Sequence, residues 1–256
     1  MDAAYTLAGF AVGAIVGITG VGGGSLMTPL LVLLFGIHPS VAVGTDLLYA
    51  SITKAGGTVV HSLKGTVDWR VTGRLALGSI PATAITIYIL SRLGASGHGT
   101  SSVISVALGI ALLLTAVSLV FRRKLQAYAL NRPQPAARTV ALATVATGAV
   151  LGVLVSISSV GAGALGVAAL VVLYPQLPTV RIVGSDIAHA VPLTLIAGLG
   201  HWLLGSVDLS LLGSLLLGSL PGIAVGTHIS TKLPERVLRP TLAVMLVVIG
   251  GKLIAH

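Results

Sequence analysis

The chain has 256 residues, is 55% hydrophobic and only 8% charged, and has a mean hydropathy of +1.04. A soluble domain carries about a quarter charged residues, so this composition excludes a water-soluble globular protein and belongs to a polytopic membrane protein. The net charge of +9 does not argue for nucleic acid, because the Lys and Arg sit in short loops between apolar runs; the absence of cysteine excludes disulfides, thiolate metal sites and cysteine redox chemistry.

In chain order, apolar segments are predicted at about 5–19, 25–36, 41–62, 71–91 and 101–121. A polar, basic linker follows from Arg122-Arg123-Lys124 to Arg138, and five further segments are predicted at about 139–158, 164–174, 180–204, 209–230 and 237–254. Met1-Asp2 offers no basic stretch ahead of the first segment, so no cleavable signal peptide is expected. Segments of about 20 residues fit a hydrocarbon core of roughly 30 Å. Those at 5–19 and 25–36 are shorter, which leaves the sequence between them inside the membrane.

That sequence is Gly20-Val21-Gly22-Gly23-Gly24-Ser25, and a degenerate copy, Ser159-Val160-Gly161-Ala162-Gly163-Ala164, lies between two short segments of the second half. Glycine weakens a helix and frees its backbone. Within a bilayer a broken backbone is tolerated only where protein buries it or it lines a wet cavity. Matching breaks in two halves point to a transporter's substrate site.

The halves repeat one another. Gly44-Thr45-Asp46 matches Gly184-Ser185-Asp186, His61 to Asp68 matches His201 to Asp208, and Leu77-Gly78-Ser79-Ile80-Pro81 matches Leu217-Gly218-Ser219-Leu220-Pro221, all at an offset of 140. An N-terminal repeat at 1–121, a basic cytoplasmic linker at 122–138 and a C-terminal repeat at 139–256 are expected. If the short pair makes no net crossing, as a re-entrant hairpin or as two short spans, each half crosses an odd number of times and the halves are inverted. Lys64, Arg70, Arg74, Arg122, Arg123, Lys124, Arg132, Arg138, Arg181, Lys232, Arg236 and Arg239 then share one side, leaving Arg92 and Lys252 on the other and Lys54 inside a segment. If the pair were one continuous span, Arg181 and the 232–239 cluster would move across. The positive-inside rule favours inverted repeats with both termini outside the cytoplasm.

Three groups of residues bear on chemistry. Unpaired N–H groups at the breaks, with the positive ends of the helices that follow, suit a small oxyanion. Gly22, Gly23, Gly24, Gly161 and Gly163 would supply backbone, and Thr19, Ser25, Ser156, Ser158 and Ser159 hydroxyls. The plainer alternative, close packing of small residues, fits Gly9, Gly13 and Gly17 better. Asp46 and Asp186 are carboxylates within apolar segments, where an acid is functional by default. Two ionised acids beside an anion would repel it, which suits them to carrying protons; helix capping beside Thr45 and Ser185 is the structural alternative. Lys54 would pair with Asp46 or add positive charge to an anion path, and His189 would exchange a proton with Asp186 or simply hydrogen-bond within the core. Asp68 and Asp208 read as helix N-caps, and His61 and His201 as residues of interfacial turns.

The combination Gly13-x3-Gly17-x4-Gly22-Gly23-Gly24-x4-Pro29-Leu30, with Val43-Gly44-Thr45, His61…Gly65-x-Val67-Asp68-Trp69 and Gly78-Ser79-x-Pro81, resembles the TauE/SafE family of membrane permeases, also called the sulfite-exporter family, over nearly the whole chain. The resemblance implies an integral permease for sulfite, organosulfonates or related sulfur oxyanions, usually an exporter. The second copy has Ser159, Ala162 and Ala168 where the first has Gly20, Gly23 and Pro29, so two inequivalent half-sites are expected. Together these readings predict an all-helical, multi-pass inner-membrane secondary transporter of two inverted five-segment repeats. Its partners would be a small anion, the lipid bilayer and protons, with a homo-oligomer left open. No Walker sequence, nucleophile elbow or metal-ligand spacing is present, so no enzyme, cofactor or metal is expected. A carrier of a cation or other small metabolite that uses Asp46 and Asp186 as ligands is the competing reading, and an intramembrane enzyme or a scaffold lies further off.

Overall fold

A computed structural model describes residues 3–19, 24–93, 98–133, 135–230 and 235–255. These form ten helices and no strand: α1 (Ala3–Thr19), α2 (Gly24–Phe35), α3 (Pro39–Leu63), α4 (Trp69–Leu93), α5 (His98–Leu130), α6 (Ala137–Ser158), α7 (Ala164–Leu173), α8 (Thr179–Leu203), α9 (Leu209–Ser230) and α10 (Glu235–Ala255). Among the described residues, five stretches are long and apolar enough to cross a membrane: Trp69–Leu93, Ser102–Arg122, Ala137–Ser158, Thr179–Leu203 and Leu209–Gly226. Large apolar side chains such as Leu77, Ile85, Val150 and Val244 are exposed on the bundle, which is stable where lipid is the solvent. The chain is an all-α polytopic membrane protein.

The short helices are where the sequence places them. At 1.5 Å per residue α2 is about 18 Å long and α7 about 15 Å, roughly half a hydrocarbon core. The linker departs from expectation: α5 continues through Arg122, Arg123 and Lys124 to Leu130, which confines the irregular connection to residues just before α6. A run of good helix formers, with no glycine or proline before Pro133, lets the helix carry on past the apolar stretch.

The offset of 140 extends to helix boundaries. Starts at Gly24, Pro39 and Trp69 recur at Ala164, Thr179 and Leu209. This register shifts the alignment of the breaks by one residue from the expected correspondence. Ser159 is the counterpart of Thr19, Ala162 of Gly22 and Ala168 of Thr28. At this offset Gly163 still answers to Gly23, whereas Gly161 answers to Val21.

The tightest packing crosses between the halves. α1 lies against α9, where a Cβ on Gly9 or Gly13 would come within 2.5 Å of the carbonyl oxygens of Leu215 and Ser219. α4 lies against α6, with Gly148 on the backbone of Leu75 and Gly152 on that of Ser79. Both pairs run parallel, since contacts advance in the same sense along each. α3 and α8 run antiparallel: Gly44 meets His201, Gly198 meets Leu48, Gly57 meets Ile187 and Gly184 meets His61. The two halves are therefore interleaved, with α1 fastened to α9 and α4 to α6.

The turns after α3 and α8 close identically. Gly65 and Gly205 take φ of +64° and +71°, which lets Thr66 N–H reach back to the His61 carbonyl and Ser206 N–H to that of His201, each at 2.9 Å. Each turn then docks on the other long helix. Asp68 N–H donates to Ser185 Oγ (2.8 Å) and Asp208 N–H to Thr45 Oγ1 (3.1 Å), beside Gly184 and Gly44. The Gly-Thr and Gly-Ser pairs thus clasp the two halves together.

Candidate functional site

The second break is fully described. α6 ends at Ser158, and Ser159 follows in the left-handed region with φ +59°. Gly161 and Gly163 take φ of +124° and +132°, conformations that side-chain-bearing residues rarely adopt. The Ser158 hydroxyl is used locally: it donates to the Leu154 carbonyl (2.7 Å) and accepts from Val160 N–H (3.2 Å). Ser156 Oγ donates to the Gly152 carbonyl (2.6 Å), so it too is turned away from the break. Gly166 and Val167 N–H bond back to the carbonyls of Gly161 and Gly163. The N–H groups of residues 161–165 have no partner among the described residues. They form a run of donors at the start of α7, within a break whose Ser159, Val160 and Ala162 are buried.

Two side chains from α3 reach this break. Lys54 is buried, and its Nζ donates to the Ala162 carbonyl at 2.8 Å. Of the two expected roles, a close pair with Asp46 is not formed among the described residues, and two further ammonium donors remain at the break. Asp46 is completely buried, and its Oδ2 accepts from Ser159 Oγ (2.9 Å) and from Thr28 Oγ1 of α2 (2.5 Å). Asp46 therefore binds a short helix of one half to the break of the other. It does not cap α3, which starts two turns earlier at Pro39 behind His38.

Asp186 occupies the repeat-related place in α8 with a different environment. It is 1% exposed, neither carboxylate oxygen has a hydrogen-bond partner among the described residues, and Oδ1 fills the space a Cβ on Gly166 would need. Capping is excluded here as well, since α8 starts at Thr179 behind Pro178. From the antiparallel pairing of α3 and α8, Asp186 stands level with the residue about 12 positions beyond Asp46, or roughly 18 Å along the axis. Lys54 lies between these levels, within electrostatic range of both acids, and Asp186 also feels Arg122 of α5. The acids are separated sites and not a carboxylate pair.

The remaining predicted residues fall around this centre. His189 Nε2 is 2.8 Å from Ser79 Oγ, a core hydrogen bond, and no bond joins it to Asp186. Its repeat counterpart is Tyr49, whose hydroxyl is turned toward Ser219 without closing a bond of ordinary geometry. Thr45 and Ser185 belong to the clasp and not to the break. Thr19 ends α1, while Gly24 and Ser25 open α2. Gly22 and Gly23 lie outside the described residues. Asp68 and Asp208 cap α4 and α9 as expected, through Oδ1 to Arg70 and Val71 N–H and to Leu211 N–H. His61 and His201 are bonded to Thr66 Oγ1 and to the Ser156 carbonyl. Sequence reasoning missed Thr28 and the Ala162 carbonyl. A polar residue within the otherwise apolar α2 was the available signal for the first.

A membrane bundle with two short broken helices, buried acids and a buried lysine on the broken backbone is the arrangement to set beside known proteins. The family described as Sulfite exporter TauE/SafE matches residues 5–253. The chain belongs to that family. It is 42% identical over 260 residues to the probable membrane transporter protein YjnA of Bacillus subtilis, covering 99% of this chain and 100% of that one. The probable membrane transporter protein YdhB of the same organism is 27% identical over 91% of this chain and 92% of its own. A probable membrane transporter protein of Xylella fastidiosa is 26% identical over 86% of this chain and 82% of its own. No solved structure matches. As a TauE/SafE protein the chain is a membrane transporter.

Proposed function

We propose that the chain is a secondary transporter, not an enzyme, which carries a small sulfur oxyanion such as sulfite or an organosulfonate across the inner membrane. The observation that carries this reading is the buried Lys54 ammonium held on the Ala162 carbonyl, within a stretch, 161–165, whose N–H groups have no partner among the described residues. A fixed cation and a run of backbone donors at a helix start, out of water, stabilise a compact anion and offer a cation nothing. A cation carrier would need its carboxylates together, whereas Asp46 and Asp186 are at different levels and Asp46 is already engaged by two hydroxyls.

The antiparallel run of repeat-related α3 and α8 supports inverted repeats, and with the positive-inside rule it supports termini outside the cytoplasm. Alternating access would then move the interleaved pairs α1–α9 and α4–α6 against the α3–α8 core. The chain's sequence holds no nucleotide-hydrolysis motif, so an ion or cargo gradient drives the movement.

Flux into proteoliposomes tests the proposal, with sulfite, thiosulfate and small sulfonates measured against a panel of cations under an imposed pH gradient. Saturable oxyanion flux that Lys54→Met removes and Lys54→Arg partly keeps is the expected result. Cation flux alone, or oxyanion flux indifferent to Lys54, would overturn it.

A further inference from the structure

We propose that the two repeated acids have diverged in role, with Asp186 the group that takes up and releases the coupling proton and Asp46 a permanent hydrogen-bond acceptor fastening α2 to the second break. The inference rests on the transporter reading and divides the two acids between structure and coupling. Duplication supplied equivalent carboxylates, yet their surroundings differ residue by residue. Asp46 receives the hydroxyls of Thr28 and Ser159. At the same offset, the residue that replaces Thr28 in the second half is Ala168, which has no donor to give.

Asp186 is buried as deeply as Asp46, and both of its oxygens are without a partner among the described residues. A carboxylate out of water needs donors or cations to hold its charge. For Asp46 the two donors on Oδ2 belong to the packing, and only Oδ1 is without a partner among the described residues. For Asp186 the charge depends on cations, which are Lys54 on α3 and Arg122 on α5. Other titratable groups on the elements around it include Asp46, Tyr49 and His61 on α3, Arg70, Arg74, Tyr88 and Arg92 on α4 with Asp68 at its cap, Lys124 and Tyr128 on α5, Arg138 at the exposed start of α6, and Arg181, His189 and His201 on its own helix. α7 contributes no ionisable side chain to this contact.

Of the two nearby cations, Lys54 is the one tied to the break. An anion arriving at the N–H groups of residues 161–165 competes with the Ala162 carbonyl for the ammonium. Drawing Lys54 toward the cargo withdraws its charge from Asp186, and a proton on a carboxyl oxygen replaces it. The proton comes from water on the side to which the site is open and returns to water on the other side. No other bond changes.

Infrared spectra of the purified protein in lipid nanodiscs, titrated from alkaline to acid pH, test this without any cargo. The expected result is a protonated-carboxyl band that appears on acidification, is lost in Asp186→Asn, moves in frequency in Asp186→Glu, and persists in Asp46→Asn and Thr28→Val. Ala168→Thr, which rebuilds in the second half the hydroxyl that Thr28 provides in the first, displaces the midpoint of that band, and Ala168→Val does not. A band that survives Asp186→Asn, vanishes in Asp46→Asn, or fails to titrate in the unaltered protein would overturn the proposal. Because no flux enters the measurement, a silent transport assay beside a titrating Asp186 band would count against the cargo assignment and leave the division of the acids standing.

Discussion

Alanine at Gly78 and at Gly73 should have opposite effects on stability, although both residues lie on α4. A Cβ at Gly78 would be driven into the Val145 carbonyl and would stand 2.7 Å from Ala149 N, both backbone atoms of α6 that cannot rotate away. The helices must separate, and the neighbouring contacts of Gly148 on Leu75 and Gly152 on Ser79 loosen with them. Overpacking of this kind costs about 1–3 kcal/mol. At Gly73 an added Cβ meets nothing within 4 Å, so alanine brings only its better helix propensity, about 0.5–1 kcal/mol in favour of folding. The two single-methyl variants should therefore differ by roughly 1.5–4 kcal/mol, the combined range of these effects. Reversible unfolding in mixed micelles, followed by circular dichroism, measures the difference. Equal midpoints would refute the interlocked packing of α4 on α6.

Other substitutions probe the site and its frame. Thr28→Val removes a donor from the buried Asp46 and should cost about 1–3 kcal/mol in the same unfolding assay. Asp208→Ala deprives α9 of its cap at Leu211 N–H and should cost about 1 kcal/mol. Gly161→Ala forces a methyl into a backbone with φ +124° and to within 2.9 Å of Leu154, so about 1–3 kcal/mol of strain is expected, with loss of oxyanion binding measured by calorimetry on the purified protein. Lys54→Met should weaken that binding by tenfold or more, on the order of 1.4 kcal/mol, while the thermal midpoint is kept.

Much of the architecture is written in local patterns. Apolar runs bounded by glycine, proline or charge locate the helices, and the short lengths of α2 and α7 follow from the breaks beside them. The repeat is legible because Gly44-Thr45-Asp46 and its partners serve one purpose twice, in the clasp that Asp68 and Asp208 complete. What remained hidden depends on residues distant in sequence. Nothing near Lys54 announces that its partner is the carbonyl of Ala162, since any carbonyl can accept and a repeat comparison places only Thr194 opposite Lys54. The stripe of Gly9 and Gly13 signals close contact but cannot say that α9 is what it contacts. Asp46 and Asp186 look alike in sequence because the difference lies in Thr28 and Ala168, on other helices.

The pairing of α1 with α9 also sets an order of events during synthesis. Gly9 is made about 200 residues before its neighbour Leu215. At roughly 5–20 residues per second, α1 waits about 10–40 s for the surface that will cover it. During that interval its small-residue face is open to any other helix in the nascent bundle. α6 likewise meets α4 early, so the second parallel pair forms while the first is still incomplete. A ribosome stalled before α9 therefore leaves α1 without the helix it packs against most closely, while α10, made last, has still to settle on α5.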